Sequence, residues 1–223
     1  MTPFMALLRK ELTLEWRTRE AVPAMALFSV TTFVVLHFGL QRDSVSGSLA
    51  AGVLWVTLLF AAMLGANRLF VSDAEGGALD GILLAPIDRT SLYLAKAVAF
   101  FGFLAIVEVV AVPAFYILLL GPAGGDAIAP LLGVLLLADI GIALTGTLVA
   151  GIATQTRSRD LLVSLIGLPL LIPVIIAAAR ATTPLFAAAG AGALPGKWLA
   201  VLGLYDVIVG LIAIAVFDFL LED

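Results

Sequence analysis

Six long stretches almost free of charge fill most of this 223-residue chain: Val22–Leu40, Leu49–Val71, Lys96–Leu120, Ile128–Ile152, Leu161–Ala179 and Leu199–Leu221. A helix needs about 20 apolar residues to cross about 30 Å of hydrocarbon. In lipid only helices and closed barrels satisfy their own backbone, and none of these stretches alternates with the period of two that a barrel strand needs. The predicted fold is therefore an all-α membrane protein, a single membrane domain over residues 1–223 with transmembrane helices at 22–40, 49–71, 96–120, 128–152, 161–179 and 199–221. Composition agrees. The chain is 62% hydrophobic and 13% charged, with a mean hydropathy of +1.17, whereas soluble domains average about 45–50% apolar and about 25% charged residues.

The charges that remain are informative by position. A net charge of −4 leaves no basic surface for nucleic acid. The absence of cysteine removes disulfides, iron–sulfur clusters, zinc–thiolate sites and a cysteine nucleophile. The N-terminus and the second and fourth loops hold Arg9, Lys10, Arg17, Arg19, Arg68, Arg89, Lys96, Arg157 and Arg159, nine residues against three (Arg42, Arg180, Lys197) in the other loops. Basic residues accumulate on the cytoplasmic side, so both termini are expected there. Residues 3–20 are too charged to span. Met5, Leu8, Leu12 and Trp16 share one helical face, Thr2–Pro3 is a suitable start, and Glu15 with Arg19 is an i,i+4 pair. The segment reads as a helix lying in the membrane interface; a plain basic anchor that sets topology explains the charges equally well.

Between two hydrophobic walls lies "DAEGGALDGILLAPIDRTSLYLAK", Asp73 to Lys96. Leu79, Ile82, Leu83, Pro86 and Ile87 fall at helical spacing on one face, with Asp73 or Glu75 able to cap the start after which the Gly76–Gly77 pair follows. A helix over 74–87 is too short to cross a bilayer. It either packs beneath its own bundle or presents its apolar ridge to a partner's groove, with Glu75 and Asp80 selecting a basic rim. In the fifth stretch, "IGLPLLIPV" places Gly167, Pro169 and Pro173 close together, and each proline removes a backbone hydrogen bond. A broken or bent helix is expected there. Residues 181–197, semi-apolar and rich in Gly and Pro, are expected to form an outer loop or a re-entrant dip before the last span.

Three blocks resemble a known family. The longest, "AGVLWVTLLFAAMLGANRLFVSDAEGGALDGILLAPIDRTSLYLAKAV", is similar to the second span, acidic-glycine loop, proline-ended leucine patch and closing Ala-Lys of haem exporter protein B (CcmB), the membrane subunit of the ABC-type cytochrome c maturation complex. "SLIGLPLLIPVIIAAA" is similar to that family's proline-interrupted fifth span, and "LLRKELTLEWR" is a weaker match near the N-terminus. The chain departs from the pattern at Asn67, where an acidic residue is expected, and at Ile87-Asp88-Arg89. The resemblance implies an ABC-2-like half-transporter whose power comes from a separate ABC ATPase. It makes 74–87 a cytoplasmic coupling helix, with Asp73, Glu75, Gly76, Gly77, Leu79, Asp80, Leu83 and Pro86 as the docking residues. It also implies other cytochrome c maturation membrane subunits as partners, a homodimer being one arrangement, and a place in a bacterial inner membrane. The chain has no P-loop of its own: "GALPGKW" is too short in spacing and ends in Trp198, so ATP is expected on the partner.

Glu108, Asp139 and Asp206 interrupt the third, fourth and sixth spans. A charge at mid-bilayer costs roughly 2.5–3.5 kcal/mol, so such residues face the bundle interior and are functional candidates. They are read either as hydrogen-bonded to neighbouring helices near Thr145 and Thr147, or as lining a path or meeting another subunit. His37, the lone histidine, lies near the outer end of the first span. A polar interface residue is one reading and a haem-iron ligand the other. With no tryptophan-rich outer loop, haem is expected on partner subunits and no cofactor on this chain. Two rival classes remain: a membrane-embedded lipid enzyme holding a metal through Asp73, Glu75 and Asp80, and a gradient-driven secondary transporter, which the lack of convincing internal repetition disfavours.

Overall fold

The computed structural model describes residues 2–42, 44–71, 88–121, 127–154, 156 and 159–220, without the side chains of 159–160 and 217–220. Segment 72–87, which carries Asp73, Glu75, Gly76, Gly77, Leu79, Asp80, Leu83 and Pro86, lies outside the described residues. The helices are α1 (Pro3–Thr18), α2 (Ala21–Leu40), α3 (Gly47–Arg68), α4 (Arg89–Phe115), α5 (Ile128–Ala153), α6 (Arg159–Thr182) and α7 (Gly196–Leu220). The last six are long and apolar enough to cross a membrane, and among the described residues there is no strand.

Local chemistry sets the helix ends. Pro3 stands in the first turn of α1 behind an extended Thr2, where its missing N–H costs nothing. Arg19 ends α1 in the left-handed region with φ 53° and donates its N–H to the Glu15 carbonyl. The Glu15 side chain then accepts the N–H groups of Val22 at 2.8 Å and Ala21 at 3.3 Å. A carboxylate from one helix thus caps the next, satisfying donors that α2 leaves open. The expected Glu15–Arg19 pair does not form: Arg19 sits 5.8 Å from the centroid of the Trp16 ring instead. Asp88 caps α4 by accepting from the Thr90 N–H and the Ser91 hydroxyl. That helix runs through Pro113 into one π-helical turn, Tyr116–Leu120, and stops at Gly121 with φ 75°.

At Gly167, Pro169 and Pro173, where a broken or bent helix is expected, α6 runs without interruption from Arg159 to Thr182 with both prolines inside it. The prolines are four apart, so the missing N–H of Pro173 would have bonded the Pro169 carbonyl, and both losses fall on a single helix edge. Nearby, the Tyr205 hydroxyl donates to the Leu170 carbonyl at 2.8 Å, so the weakened stretch is supported from α7. Gly167 serves packing: a Cβ there would meet Met63 Cε at 2.9 Å. After α6, a 3-10 turn (Thr183–Phe186) buries Leu185 and Phe186, and residues 187–193 are exposed.

Helix α5 is central, packing on α3, α4, α6 and α7, while α2 lies against α3 and α4 and α1 against α4. Lipid tails are as apolar as leucine, so close approach of small residues replaces hydrophobic force. Phe100 of α4 is fully buried and sits where two glycines make room: a Cβ on Gly65 would lie 2.8 Å from its ring, as would one on Gly146. At the end away from α1, Phe115 joins Phe33 and Phe186 at centroid distances of 5.6 and 5.5 Å. Trp55, also buried, donates to the Thr182 hydroxyl at 3.0 Å. We expect Gly65→Ala and Gly146→Ala each to lower stability by about 1–3 kcal/mol, the usual cost of overpacking. Gly203→Ala, whose Cβ meets nothing within 4 Å, should be neutral or slightly stabilising. Thermal melts in one detergent check all three.

Candidate functional site

Two polar constellations stand out, one at mid-span and one at the α1 end. At mid-span, Asp139 of α5 is 3% exposed, and its carboxyl group lies beside that of Glu108 on α4. Two ionised carboxylates only accept, so a hydrogen bond between them would require a proton on one of the two. Glu108 Oε1 and Asp139 Oδ2 are buried with no hydrogen-bond partner. Asp206 is 8% exposed, and both its oxygens are buried without a partner. It packs on the bare face of α5: a Cβ on Gly141 would stand 2.6 Å from its Oδ1. The three acids of the sequence analysis are thus divided. The structure joins Glu108 to Asp139 and places Asp206 against Gly141.

The threonines serve other groups. Thr145 is hydrogen-bonded to the Tyr205 hydroxyl at 2.9 Å, the same hydroxyl that supports α6, while Thr147 Oγ1 is buried and without a partner. Tyr93 of α4 donates to the Leu144 carbonyl at 2.9 Å. His37 pairs through Nδ1 with the Leu118 carbonyl in the π-helical turn, and its ring lies edge-on to Phe38. Leu119 in the same turn accepts the Val45 N–H at 2.8 Å. The histidine therefore joins the end of α2 to carbonyls that the end of α4 leaves open. Among the described residues no group of three histidines or acids could hold a metal.

At the other end, Lys96 of α4 is completely buried. Its ammonium lies 3.0 Å from Glu11 Oε1 of α1, donates to the Leu69 carbonyl at 2.7 Å and stands 4.4 Å from the centroid of Phe70. Lys10 approaches the same Glu11 oxygen at 3.1 Å. Breaking a buried pair by removing one partner typically costs about 3–5 kcal/mol. Sequence reading counted Lys96 only for topology and missed Glu11. The available signal was the spacing of Leu7 and Glu11, i and i+4, which form the buried face of α1, whereas the ridge of Met5, Leu12 and Trp16 is exposed.

Six membrane-crossing helices, an internal carboxyl pair and a buried ionic clamp at one end define a multi-pass helical membrane protein. The chain belongs to the CcmB family: the family model described as CcmB protein matches residues 2–220. It is 30% identical to Heme exporter protein B of Bradyrhizobium diazoefficiens over 220 residues, covering 96% of each chain. It is 31% identical to Heme exporter protein B of Rhodobacter capsulatus over 172 residues, 77% of this chain and 78% of the relative. Against the protein of that name from Pseudomonas aeruginosa the identity is 31% over 174 residues, 78% of this chain and 77% of the relative.

The carboxyl pair gives a direct expectation. Glu108→Gln keeps a donor for Asp139 and should leave stability within about 1 kcal/mol. Glu108→Ala strands Asp139 and should cost about 1–3 kcal/mol, the penalty for a buried polar group without a partner. Melting of the purified variants separates the two.

Proposed function

We propose that this chain is the membrane-spanning permease subunit of an ABC transporter complex in cytochrome c biogenesis. It couples ATP hydrolysis by a partner ATPase to haem export, or to release of a haem-loaded chaperone. The observation that carries the reading is the match of residues 2–220 to the CcmB family, with one relative named Heme exporter protein B aligned across 96% of the chain. Haem is cargo of the complex in this reading, and ATP belongs to the partner.

The physical features fit. Motion made by a soluble ATPase reaches the spans only through a rigid contact at the membrane surface. Segment 72–87 supplies the docking residues Asp73, Glu75, Gly76, Gly77, Leu79, Asp80, Leu83 and Pro86, an apolar ridge with an acidic border. The residues just before it, Leu69 and Phe70, and Lys96 beyond it are held together, so a push on the segment bears on α3 and α4 at once. Basic residues concentrate on that side, which sets both termini and the segment in the cytoplasm of a bacterial inner membrane. The exposed ridge of α1 (Met5, Leu12, Trp16) then lies against lipid headgroups. Six spans are few for a transporter, so two membrane subunits work with an ATPase pair, the second being another copy or another maturation subunit.

Coexpression with the neighbouring maturation subunits and affinity purification in mild detergent test this. An ATPase should copurify with the wild type and be lost from Glu75→Lys/Asp80→Lys. Equal recovery from both removes the docking site from 72–87, and no ATPase with either overturns the coupling reading.

A further inference from the structure

We propose that the Glu11–Lys96 pair is a positioning clamp. It makes the N-terminal helix a splint across the two ends of segment 72–87, so that α1 is part of the coupling apparatus and more than a membrane anchor. The inference deepens the function proposed above and rests on that reading for what the clamp transmits; the clamp itself stands on geometry.

One buried ammonium holds three stretches of chain. Lys96 comes from α4, beyond the segment; the Leu69 carbonyl at 2.7 Å and the Phe70 ring at 4.4 Å come from just before it; Glu11 at 3.0 Å comes from α1. Lysine has three ammonium protons and no acceptor, and here two of them meet the carboxylate and the carbonyl. The neighbouring contacts point the same way. Leu7 of α1 packs with Leu92 and Ala95 of α4 in a small cluster separate from the main core. Among the described residues, α1 has its substantial contacts with α4 and with no other helix. Beside the clamp lies a cavity of about 110 Å³, lined by Glu11 and Leu69 and reaching Glu15, Glu20, Gly65 and Arg68. Beyond the cavity, Arg68 is paired with Glu20 at 3.1 Å, both largely exposed, a contact that contributes little. So α1 is bound to α4 by an apolar cluster and a buried ion pair, and to the start of α2 through the Glu15 carboxylate.

The two-residue link of Arg19 and Glu20, with Arg19 at φ 53°, completes the device. Because Glu15 caps α2 from within α1, displacement of α4 is passed through α1 to the first span as well as directly to the bundle. In this reading Glu11 and Lys96 act through position. Their role is to keep the entry and exit of the segment in register.

The test uses the assembled complex with its ATPase. Glu11→Gln removes the charge that Lys96 faces and keeps the size. The expected result is that the ATPase still copurifies and hydrolyses ATP, while cytochrome c formed per ATP falls at least tenfold. The chain has no cysteine, so Leu7→Cys/Leu92→Cys gives one addressable pair. Joining it with a short cleavable thiol crosslinker in the Glu11→Gln background should restore the ratio to within twofold of wild type, and cleaving the linker should abolish the rescue. An unchanged ratio in Glu11→Gln overturns the clamp. A parallel loss of assembled complex and activity, with the ratio kept, also overturns it by showing a merely structural pair. If the wild type recovers no ATPase, the coupling reading fails on its own, and the clamp is judged by endoproteinase Glu-C cleavage at Glu75 in inverted vesicles. Cleavage several-fold faster in Glu11→Gln supports it, and equal rates overturn it.

Discussion

Inside hydrocarbon a polar group has no water to turn to, and the structure is arranged around that constraint. The backbone answers first, with six helices that satisfy themselves. Where it fails, side chains intervene. Glu15 serves the open N–H groups of α2, His37 and Val45 take carbonyls from the π-helical turn, and the Tyr205 hydroxyl binds the Leu170 carbonyl between the two prolines of α6. The helices come together through small residues, and Gly65, Gly141, Gly146 and Gly167 mark where neighbouring side chains press closest.

The same constraint explains what was legible in the sequence. Six apolar runs gave six spans because length and charge alone decide that question. The start of α4 was placed at Lys96, yet the helix begins at Arg89, since helices do not stop where hydrophobicity does. The proline pair suggested a broken or bent helix because the sequence shows the missing donors; the helix nevertheless continues through both prolines, with the Tyr205 hydroxyl of another span on the neighbouring Leu170 carbonyl. The three intramembrane acids were found by rarity, but their pairing depends on how α4, α5 and α7 rotate against one another, which nearly uniform apolar faces do not specify. Glu11 was overlooked for a related reason: on α1 the greasiest ridge is not the packed one, and the face that packs contains a carboxylate.

Asp206 and the Glu108–Asp139 pair answer burial in different ways. Two adjacent carboxyl groups can answer part of each other's burial by sharing a proton, though Glu108 Oε1 and Asp139 Oδ2 are left without a partner. Asp206 has no such neighbour; both oxygens are unpaired and lie over Gly141. Natural cores keep few orphaned polar atoms. Most of those found here lie on α5 or in residues packed against it: Glu108, Asp139, Thr147 and Asp206.

The clamp at the α1 end poses the opposite case, because its polar groups are well satisfied. A buried ion pair is a poor source of stability: desolvating both charges offsets most of their attraction, and apolar residues of similar volume often do as well or better. One helical turn before Glu11 and Lys96, Leu7 and Leu92 already pack in an apolar cluster with Ala95. What an apolar pair would lack is direction. Leucine packs acceptably over a range of small displacements, whereas an ammonium held at once by a carboxylate, a carbonyl and an aromatic face has one position that satisfies all three. Fixed register is of most use where chain ends must move together, and these contacts join residues on either side of segment 72–87. Position, more than stability, is the physical reason for a fully buried lysine beside α1.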